Sequence, residues 1–229
     1  MINTLPLVVL FDLDGTLLDT APEFLTALNK MLINDHLPLL TLDTVIPFIS
    51  KGSEALVRHA YNHKLKSEEF DTRHADFLHH YKKILGNEAK LFNGMPEVLE
   101  AIEMSGRLWG VVTNKPSEMT APLLKKLNLF HRAACVVSGD TTPYPKPHPA
   151  PLLKACSMMN QKIKDCIYVG DDRRDITAAK AAHMQSIVAL YGYQDFDDHP
   201  KKWGASDTIE KPTDLMPALQ LNALPATSR

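Results

Sequence analysis

Five short apolar runs recur along the chain, and none of them alternates with polar residues. They are residues 5–11, 108–112, 135–138, 166–169 and 186–190. Continuous apolar runs of this length are typical of strands that are covered on both faces of a sheet. Stretches with helical spacing alternate with the later runs, at residues 96–105, 117–127, 149–159 and 174–183. This alternation predicts an α/β fold built on a doubly wound parallel sheet.

The segment between the first two runs shows only helical spacing. Thr20 and Glu23 form a capping-box pattern, and apolar residues then recur at Phe24, Leu28 and Leu32. Further helices are predicted at residues 53–62 and 67–85. Because this segment is too long for one crossover, we expect a helical insertion domain at residues 17–92, inserted into a core domain of residues 1–16 and 93–229. Hinges are expected near residues 17–20 and 88–93, and a loose end at residues 225–229.

Composition narrows the class of protein. The chain has 229 residues, of which 45% are hydrophobic, and this is enough for a sizeable core. A net charge of −2 without a basic patch does not favour binding to nucleic acid. No apolar stretch is long enough to span a membrane, and we expect no signal peptide. Cys135, Cys156 and Cys166 match no metal or redox spacing, so we expect core thiols and a reducing cytoplasm.

Two carboxylates, Asp12 and Asp14, stand at the end of the first apolar run. Residues i and i+2 of an extended strand point the same way, so both side chains face one point and favour a cation such as Mg²⁺. Gly15 allows a sharp turn after them. An ordinary solvated acidic turn is the alternative. A calcium-binding EF-hand loop is rejected because Leu17 stands where that loop needs glycine, and a strand precedes it instead of a helix.

The later strands end in polar clusters as well. These clusters contain Thr113, Asn114, Lys146, Asp171, Asp172 and Asp175. Taken singly, they could be a strand-to-helix turn, a surface lysine in a proline-rich loop and helix N-terminal acids. Taken together at the carboxyl ends of one sheet, they predict a site with a nucleophile, an acid/base, phosphate ligands and a metal.

The sequence resembles phosphatases of the haloacid dehalogenase superfamily in all four of its motifs. The matching segments are residues 12–16, 113–114, 146–147 and 170–175. Within that superfamily the chain is similar to phosphoglycolate phosphatases. It is more similar to a bacterial subgroup that acts on N-acetylmuramic acid 6-phosphate in cell-wall sugar recycling, at residues 91–96, 108–116, 170–176, 191–193 and 203–205.

The resemblance implies a mechanism. Asp12 would attack phosphorus and form an aspartyl-phosphate, and Asp14 would act as general acid and then as general base. Mg²⁺ would bind Asp12, Asp171 and the main-chain carbonyl of Asp14. Whether Asp172 joins the metal ligands stays open at this stage.

The remaining motif residues would bind the substrate. The Thr113 hydroxyl, the Asn114 amide and Lys146 would stabilise the phosphoryl oxygens, and Asp175 would orient this set.

By the same resemblance the helical insertion at residues 17–92 corresponds to the family's mobile cap domain. In this cap, Lys51, Gly52 and Ser53 are expected to contact the substrate, which is a small phosphorylated metabolite. A 2-phosphoglycolate phosphatase and a phosphosugar mutase of the same fold are the alternatives. A dehalogenase would not need Asp14, and a non-catalytic binding protein would not need every motif. We expect a monomer or homodimer without membrane or nucleic acid partners.

Overall fold

A computed structural model describes residues 5–193 and 199–221 of the chain. Its strands fall into two sheets. They are β1 (Val8–Phe11), β2 (Leu18–Asp19), β3 (Lys90–Leu91), β4 (Leu108–Val112), β5 (Val136–Val137), β6 (Cys166–Gly170), β7 (Gln185–Ala189) and β8 (Asp207–Ile209). Six of them form a parallel sheet in the order β5-β4-β1-β6-β7-β8, and β2 pairs with β3 in an antiparallel ladder. The predicted doubly wound α/β fold is confirmed.

The helices alternate with the later strands and fill the gap between β1 and β4. They are α1 (Ala21–Asn34), α2 (Leu42–Ile49), α3 (Ser53–Ala60), α4 (Ser67–Ile84), α5 (Met95–Met104), α6 (Ser117–Lys126), α7 (Ala150–Met158), α8 (Arg173–Ala181) and α9 (Leu215–Ala218). In the described residues no helix has the length and apolar character needed to cross a membrane.

The central strands are buried on both faces, as their continuous apolar runs predicted. Every residue of β1 is buried, and one face contributes Val9 and Phe11 to one core cluster while the other contributes Val8 and Leu10 to a second. All three cysteines are buried and free. This confirms that they act as small core residues.

Helices α1–α4, which we call the helical layer, share a core of their own. Leu28, Leu56 and Phe77 are fully buried in it. Aromatic rings stack through the centre, with the Phe24 and Tyr81 centroids 4.6 Å apart. The apolar spacing in α1 therefore faces this core. The domain limits at residues 17–92 stay a prediction.

The chain enters and leaves the helical layer through the β2–β3 ladder, in which Leu18 pairs with Leu91 and Asp19 with Lys90. The predicted capping box at the start of α1 is wrong. The Thr20 hydroxyl donates to Asp14 instead, and Glu23 Oε1 accepts hydrogen bonds from the amides of Glu88 and Ala89 at 3.0 Å each. Thr20 thus bonds to a carboxylate six residues before it, and Glu23 bonds to amides more than 60 residues away, so neither side chain caps α1.

Five elements were not predicted from the sequence: β2 and β3 of the antiparallel ladder, α2, β8 and α9. The strands are two or three residues long, and α2 contains Pro47, which argues against a helix in a sequence pattern. The segment expected to be loose, residues 225–229, lies outside the described residues.

Candidate active site

The predicted site residues converge at the carboxyl edge of the parallel sheet. Asp12 follows β1, Thr113 follows β4, and Asp171 follows β6, while Lys146 lies in the loop after β5. Strand β1 stands between β4 and β6, where the chain order of the sheet reverses direction. Crevices at this switch point are the usual ligand sites of open α/β sheets.

Lys146 is the centre of a buried polar network. Its Nζ atom lies 2.8 Å from Asp12 Oδ1 and 2.7 Å from Asp175 Oδ1, and it also donates to the Tyr168 hydroxyl and the Val112 carbonyl. Burial alone lowers the pKa of Lys146, but the carboxylates of Asp12 and Asp175 outweigh it and hold the pKa above its ordinary value. The lysine is therefore a fixed positive charge beside Asp12.

The backbone of the Lys146 loop is held by Asn114. The Asn114 side chain accepts a hydrogen bond from the Lys146 amide and donates one to the Lys146 carbonyl, each at 2.9 Å. The Asn114 side chain therefore holds the loop in place, and among the described residues no hydrogen bond is made by the Asn114 backbone amide, which was predicted to contact the phosphate. Thr113 is buried, and its hydroxyl accepts a hydrogen bond from the Lys115 amide at 3.2 Å.

Asp171 is held against the loop that contains Asp14 and Gly15. Its carboxylate accepts hydrogen bonds from the Thr16 hydroxyl at 2.7 Å and from the Tyr193 amide at 2.9 Å. A Cβ atom on Gly15 would lie 2.2 Å from Asp171 Oδ2, and one on Gly192 would lie 2.3 Å from Asp171 Cβ. Any side chain at either glycine would displace this carboxylate.

Three carboxylates, those of Asp12, Asp171 and Asp175, each bring one oxygen within 4.8 Å of the others. Burial, followed by the charges of Asp12 and Asp175, raises the pKa of Asp171 well above its ordinary value. Burial also raises the pKa of Asp175, to about 6, although Lys146 opposes this. The group fits a divalent cation, because oxygen ligands suit a hard ion and a positive charge would relieve the repulsion.

Asp14 does not belong to this acidic group through its carboxylate. Both of its oxygens lie 3.1 Å from Lys115 Nζ, and Oδ1 also accepts from the Thr20 hydroxyl at 2.7 Å. The side chain is 18% exposed and lines the cavity described below. Asp14 therefore stands beside Asp12 as a separate carboxylate with its own partners, as an acid/base role requires.

Lys115 is a site residue that the sequence reasoning missed. Its Nζ atom donates to the Tyr81 hydroxyl at 2.6 Å and lies over the Phe24 and Tyr81 rings, 4.9 and 4.8 Å from their centroids. It joins Asp14 of the sheet to α1 and α4 of the helical layer. Its position directly after Thr113-Asn114 was a signal, but its partners lie far away in sequence.

Asp172 lies outside the acidic group. Its side chain accepts the Arg174 amide as the N-cap of α8 and also pairs with Arg174 Nε at 2.9 Å. The acid that could have joined the metal ligands is thus a helix cap and an arginine partner in this structure.

A cavity of about 350 Å³ lies between the strand ends and the helical layer. The sheet side contributes polar groups that include Asp12, Asp14, Thr113, Asn114 and Lys146. The opposite wall is largely apolar, and this set comprises Phe24, Ile49, Leu56, Phe77, Leu78 and Met119.

Of the predicted cap residues, Gly52 and Ser53 line this cavity, and Lys51 does not. The exposed Lys51 side chain places its Nζ atom 5.1 Å from the centroid of the Phe48 ring. Ser50 and His74 contribute to the wall instead, and His74 Nε2 lies 2.8 Å from the Ser53 hydroxyl. The structure therefore brings together every predicted site residue except Lys51.

An aspartate at the end of the first strand meets a lysine and further acids at the switch point of a parallel sheet, an arrangement that suits an enzyme with a carboxylate nucleophile. The chain belongs to the haloacid dehalogenase-like hydrolase family, whose model matches residues 9–189. This confirms the family predicted from the four motifs.

Relatives with two different substrate names are similar to this chain. A phosphoglycolate phosphatase from Xanthomonas campestris pv. campestris is 44% identical over 210 residues, which cover 92% of this chain and 95% of the relative. An N-acetylmuramic acid 6-phosphate phosphatase from Pseudomonas putida is 38% identical over 207 residues, which cover 90% and 93%. The crystal structure of a predicted phosphoglycolate phosphatase from Haemophilus somnus has a TM-score of 0.84 at 28% identity and covers 94% of this chain and 99% of that one. The family match and these phosphatase names confirm the predicted enzyme class, a haloacid dehalogenase-type phosphatase.

Proposed function

We propose that the chain is a cytoplasmic Mg²⁺-dependent phosphomonoesterase that hydrolyses N-acetylmuramic acid 6-phosphate through an aspartyl-phosphate. The observation that carries the proposal is the cavity, which has charged groups at the sheet and apolar side chains opposite them. Its volume of about 350 Å³ lies within the usual range for sites that enclose a small molecule.

Asp12 is the proposed nucleophile. Its Oδ1 atom accepts hydrogen bonds from the Leu13 amide at 2.7 Å and from Lys146. These two bonds fix the carboxylate at the carboxyl end of β1. A new bond from Asp12 to phosphorus forms as the bond from phosphorus to the ester oxygen breaks. Lys146 and the Thr113 hydroxyl, at the same edge of the sheet, then stabilise the phosphoryl oxygens.

Asp14 is the proposed acid/base. It donates a proton to the leaving alkoxide and later removes one from the water that attacks phosphorus, so that Asp12 is released with inorganic phosphate. Lys115 and Thr20 hold Asp14 in place from two directions. The Asp12, Asp171 and Asp175 group fits Mg²⁺, which when bound supplies positive charge against the phosphoryl oxygens.

The size and chemistry of the cavity favour the amino sugar ester as the substrate. N-acetylmuramic acid 6-phosphate carries an acetyl methyl and a lactyl methyl, which the apolar wall can bury. 2-Phosphoglycolate is much smaller and has a single methylene group, so it would leave most of that wall in contact with water. The second candidate, phosphoglycolate, is supported by the name of the Xanthomonas relative.

The proposed cap domain at residues 17–92, which contains the helical layer, would close over the bound ester. Its side chains form most of the apolar wall, and exclusion of water protects phosphoryl transfer. Structures with and without a phosphate analogue test this motion, because an unchanged orientation in both would contradict a moving lid.

A phosphate-release assay with saturating Mg²⁺ tests the substrate. We expect kcat/KM for N-acetylmuramic acid 6-phosphate to exceed that for 2-phosphoglycolate, since the ratio reports differential binding of the transition states. The reverse order would overturn the substrate proposal and favour the second candidate. Transfer of the phosphoryl group to another sugar position, without free phosphate, would identify a mutase.

A further inference from the structure

Three strong cations line the described part of the cavity: Lys115, Lys146 and Arg174. The two lysines already have several hydrogen-bond and ion-pair partners within the protein. Lys146 Nζ has Asp12, Asp175, Tyr168 and Val112 as partners, which is more than its three protons can serve singly. Lys115 Nζ has both oxygens of Asp14 and the Tyr81 hydroxyl.

Arg174 is different, because much of its hydrogen-bonding capacity is unused. Its Nε atom pairs with Asp172 Oδ1 at 2.9 Å, and its side chain is 36% exposed. Within the described residues, no hydrogen bond involves its two terminal nitrogens. A guanidinium carries four N–H groups on those nitrogens, arranged as a planar fork that matches a carboxylate.

Asp172 fixes the direction of this fork. The same Oδ1 atom that pairs with Arg174 Nε accepts the Arg174 amide at 2.8 Å, so the side chain folds back onto its own helix start. Asp172 also lines the cavity, directly beside Arg174. The ion pair thus holds the Arg174 guanidinium in one orientation at the cavity wall, beside the acidic group.

We propose that Arg174 binds a carboxylate of the substrate and thereby selects phosphate esters that carry one. This inference rests on the proposed function, whose two candidate substrates share a carboxylate in addition to the phosphate. Lys51, the cap cation that was expected to contact the substrate, does not line the cavity. Arg174 is the lining cation with donors to spare.

A pair of sugar esters that differ only in the lactyl ether tests the carboxylate when parent and variant are compared. N-acetylglucosamine 6-phosphate is N-acetylmuramic acid 6-phosphate without the lactyl ether, so the ratio of their kcat/KM values measures selection by that group. A hydrogen-bonded charged group is worth roughly 10- to 100-fold in such a ratio. We expect the parent enzyme to prefer the carboxylate ester, and Arg174→Gln to reduce this preference by about that factor. Arg174→Lys should retain part of it, because it keeps the charge but loses the fork.

Arg173→Gln is the control variant. Arg173 is the exposed neighbour on α8 and does not line the cavity, so the variant loses the same charge without touching the proposed contact. Its ratio should equal that of the parent. Asp172→Asn keeps a side chain that can cap α8 but weakens the hold on Arg174, so we expect an intermediate ratio.

The outcomes separate this inference from the proposed function. A parent enzyme that prefers the carboxylate ester while Arg174→Gln keeps that preference overturns the role of Arg174 and leaves the substrate intact. Equal losses on both esters in Arg174→Gln also overturn it, because they assign the guanidinium to the phosphate. A parent without preference overturns both proposals before any variant is made. Ethyl phosphate has a methyl group where 2-phosphoglycolate has its carboxylate. The ratio of kcat/KM for this second pair, in the parent and in Arg174→Gln, shows whether Arg174 selects 2-phosphoglycolate or the sugar ester.

Discussion

Tyr81→Phe tests whether the helical layer acts on the chemistry through Lys115. The substitution removes a single hydroxyl group, which accepts a hydrogen bond from Lys115 Nζ at 2.6 Å. The ring remains, together with its stacking on Phe24 and its contact with the ammonium group. Tyr81 belongs to α4, whereas Lys115 follows strand β4 of the sheet. The substitution therefore removes a hydrogen bond between the helical layer and the edge of the sheet.

The magnitude follows from the burial of both partners. Tyr81 and Lys115 are 1% and 8% exposed, and a hydrogen bond to a charged group contributes about 1.5–3 kcal/mol. Lys115 keeps its ion pair with Asp14, so we expect the lower end, about 1.5 kcal/mol. If the closed arrangement is the reactive one, kcat/KM should fall about tenfold.

Tyr61→Phe is a matched control for this variant. The Tyr61 hydroxyl donates to Asp35 Oδ2, also at 2.6 Å, but Asp35 directly follows α1, Tyr61 directly follows α3, and neither residue lines the cavity. This variant should lower the melting temperature while kcat/KM stays near the parent value. Steady-state kinetics and thermal unfolding of both variants are the measurements. A Tyr81→Phe enzyme with kcat/KM within twofold of the parent, or equal kinetic losses in both variants, would refute the reasoning.

Two further predictions concern the acidic group. Asp12→Asn should lower kcat by more than about 10³-fold with circular dichroism unchanged, because an amide is a poor nucleophile; phosphate release within tenfold of the parent would sink the assignment. The rise in melting temperature caused by Mg²⁺ should be smaller at about pH 5.5 than at about pH 7.5. The raised pKa values, about 6 for Asp175 and higher than usual for Asp171, mean that protons compete with the ion at the lower pH, and an equal rise at both would contradict this.

The sheet and the convergence of Asp12, Thr113, Lys146 and Asp171 could be predicted because both follow from local patterns. Continuous apolar runs mark buried parallel strands, and residues just after such strands must meet at one edge. Lys115 has no such marker. Its place is decided by a tyrosine that lies 34 residues away in sequence, and no periodicity encodes that distance.

The same limit explains the errors at the start of the helical layer. Thr20 and Glu23 have the right spacing for a capping box, but tertiary partners compete for the same oxygens. Asp14 takes the Thr20 hydroxyl, and two amides beside β3 take the Glu23 carboxylate. Lys51 lies in the turn between α2 and α3, where no helical or strand period fixes the direction of a side chain, so the sequence could not show that Gly52 and Ser53 line the cavity while Lys51 does not.

The β2–β3 ladder joins the two connections between the sheet and the helical layer by hydrogen bonds. Leu18 is bonded to the return strand at Leu91, and the Glu23 carboxylate clamps the same return segment from α1. Two independent connections would let the helical layer rotate about each connection separately, whereas two hydrogen-bonded strands move together and act as one hinge. A cut in one connection would leave the layer held by the other, and a covalent bridge between the two would leave that hinge unchanged. The path of any closing motion is thus built into the attachment rather than into the ligand.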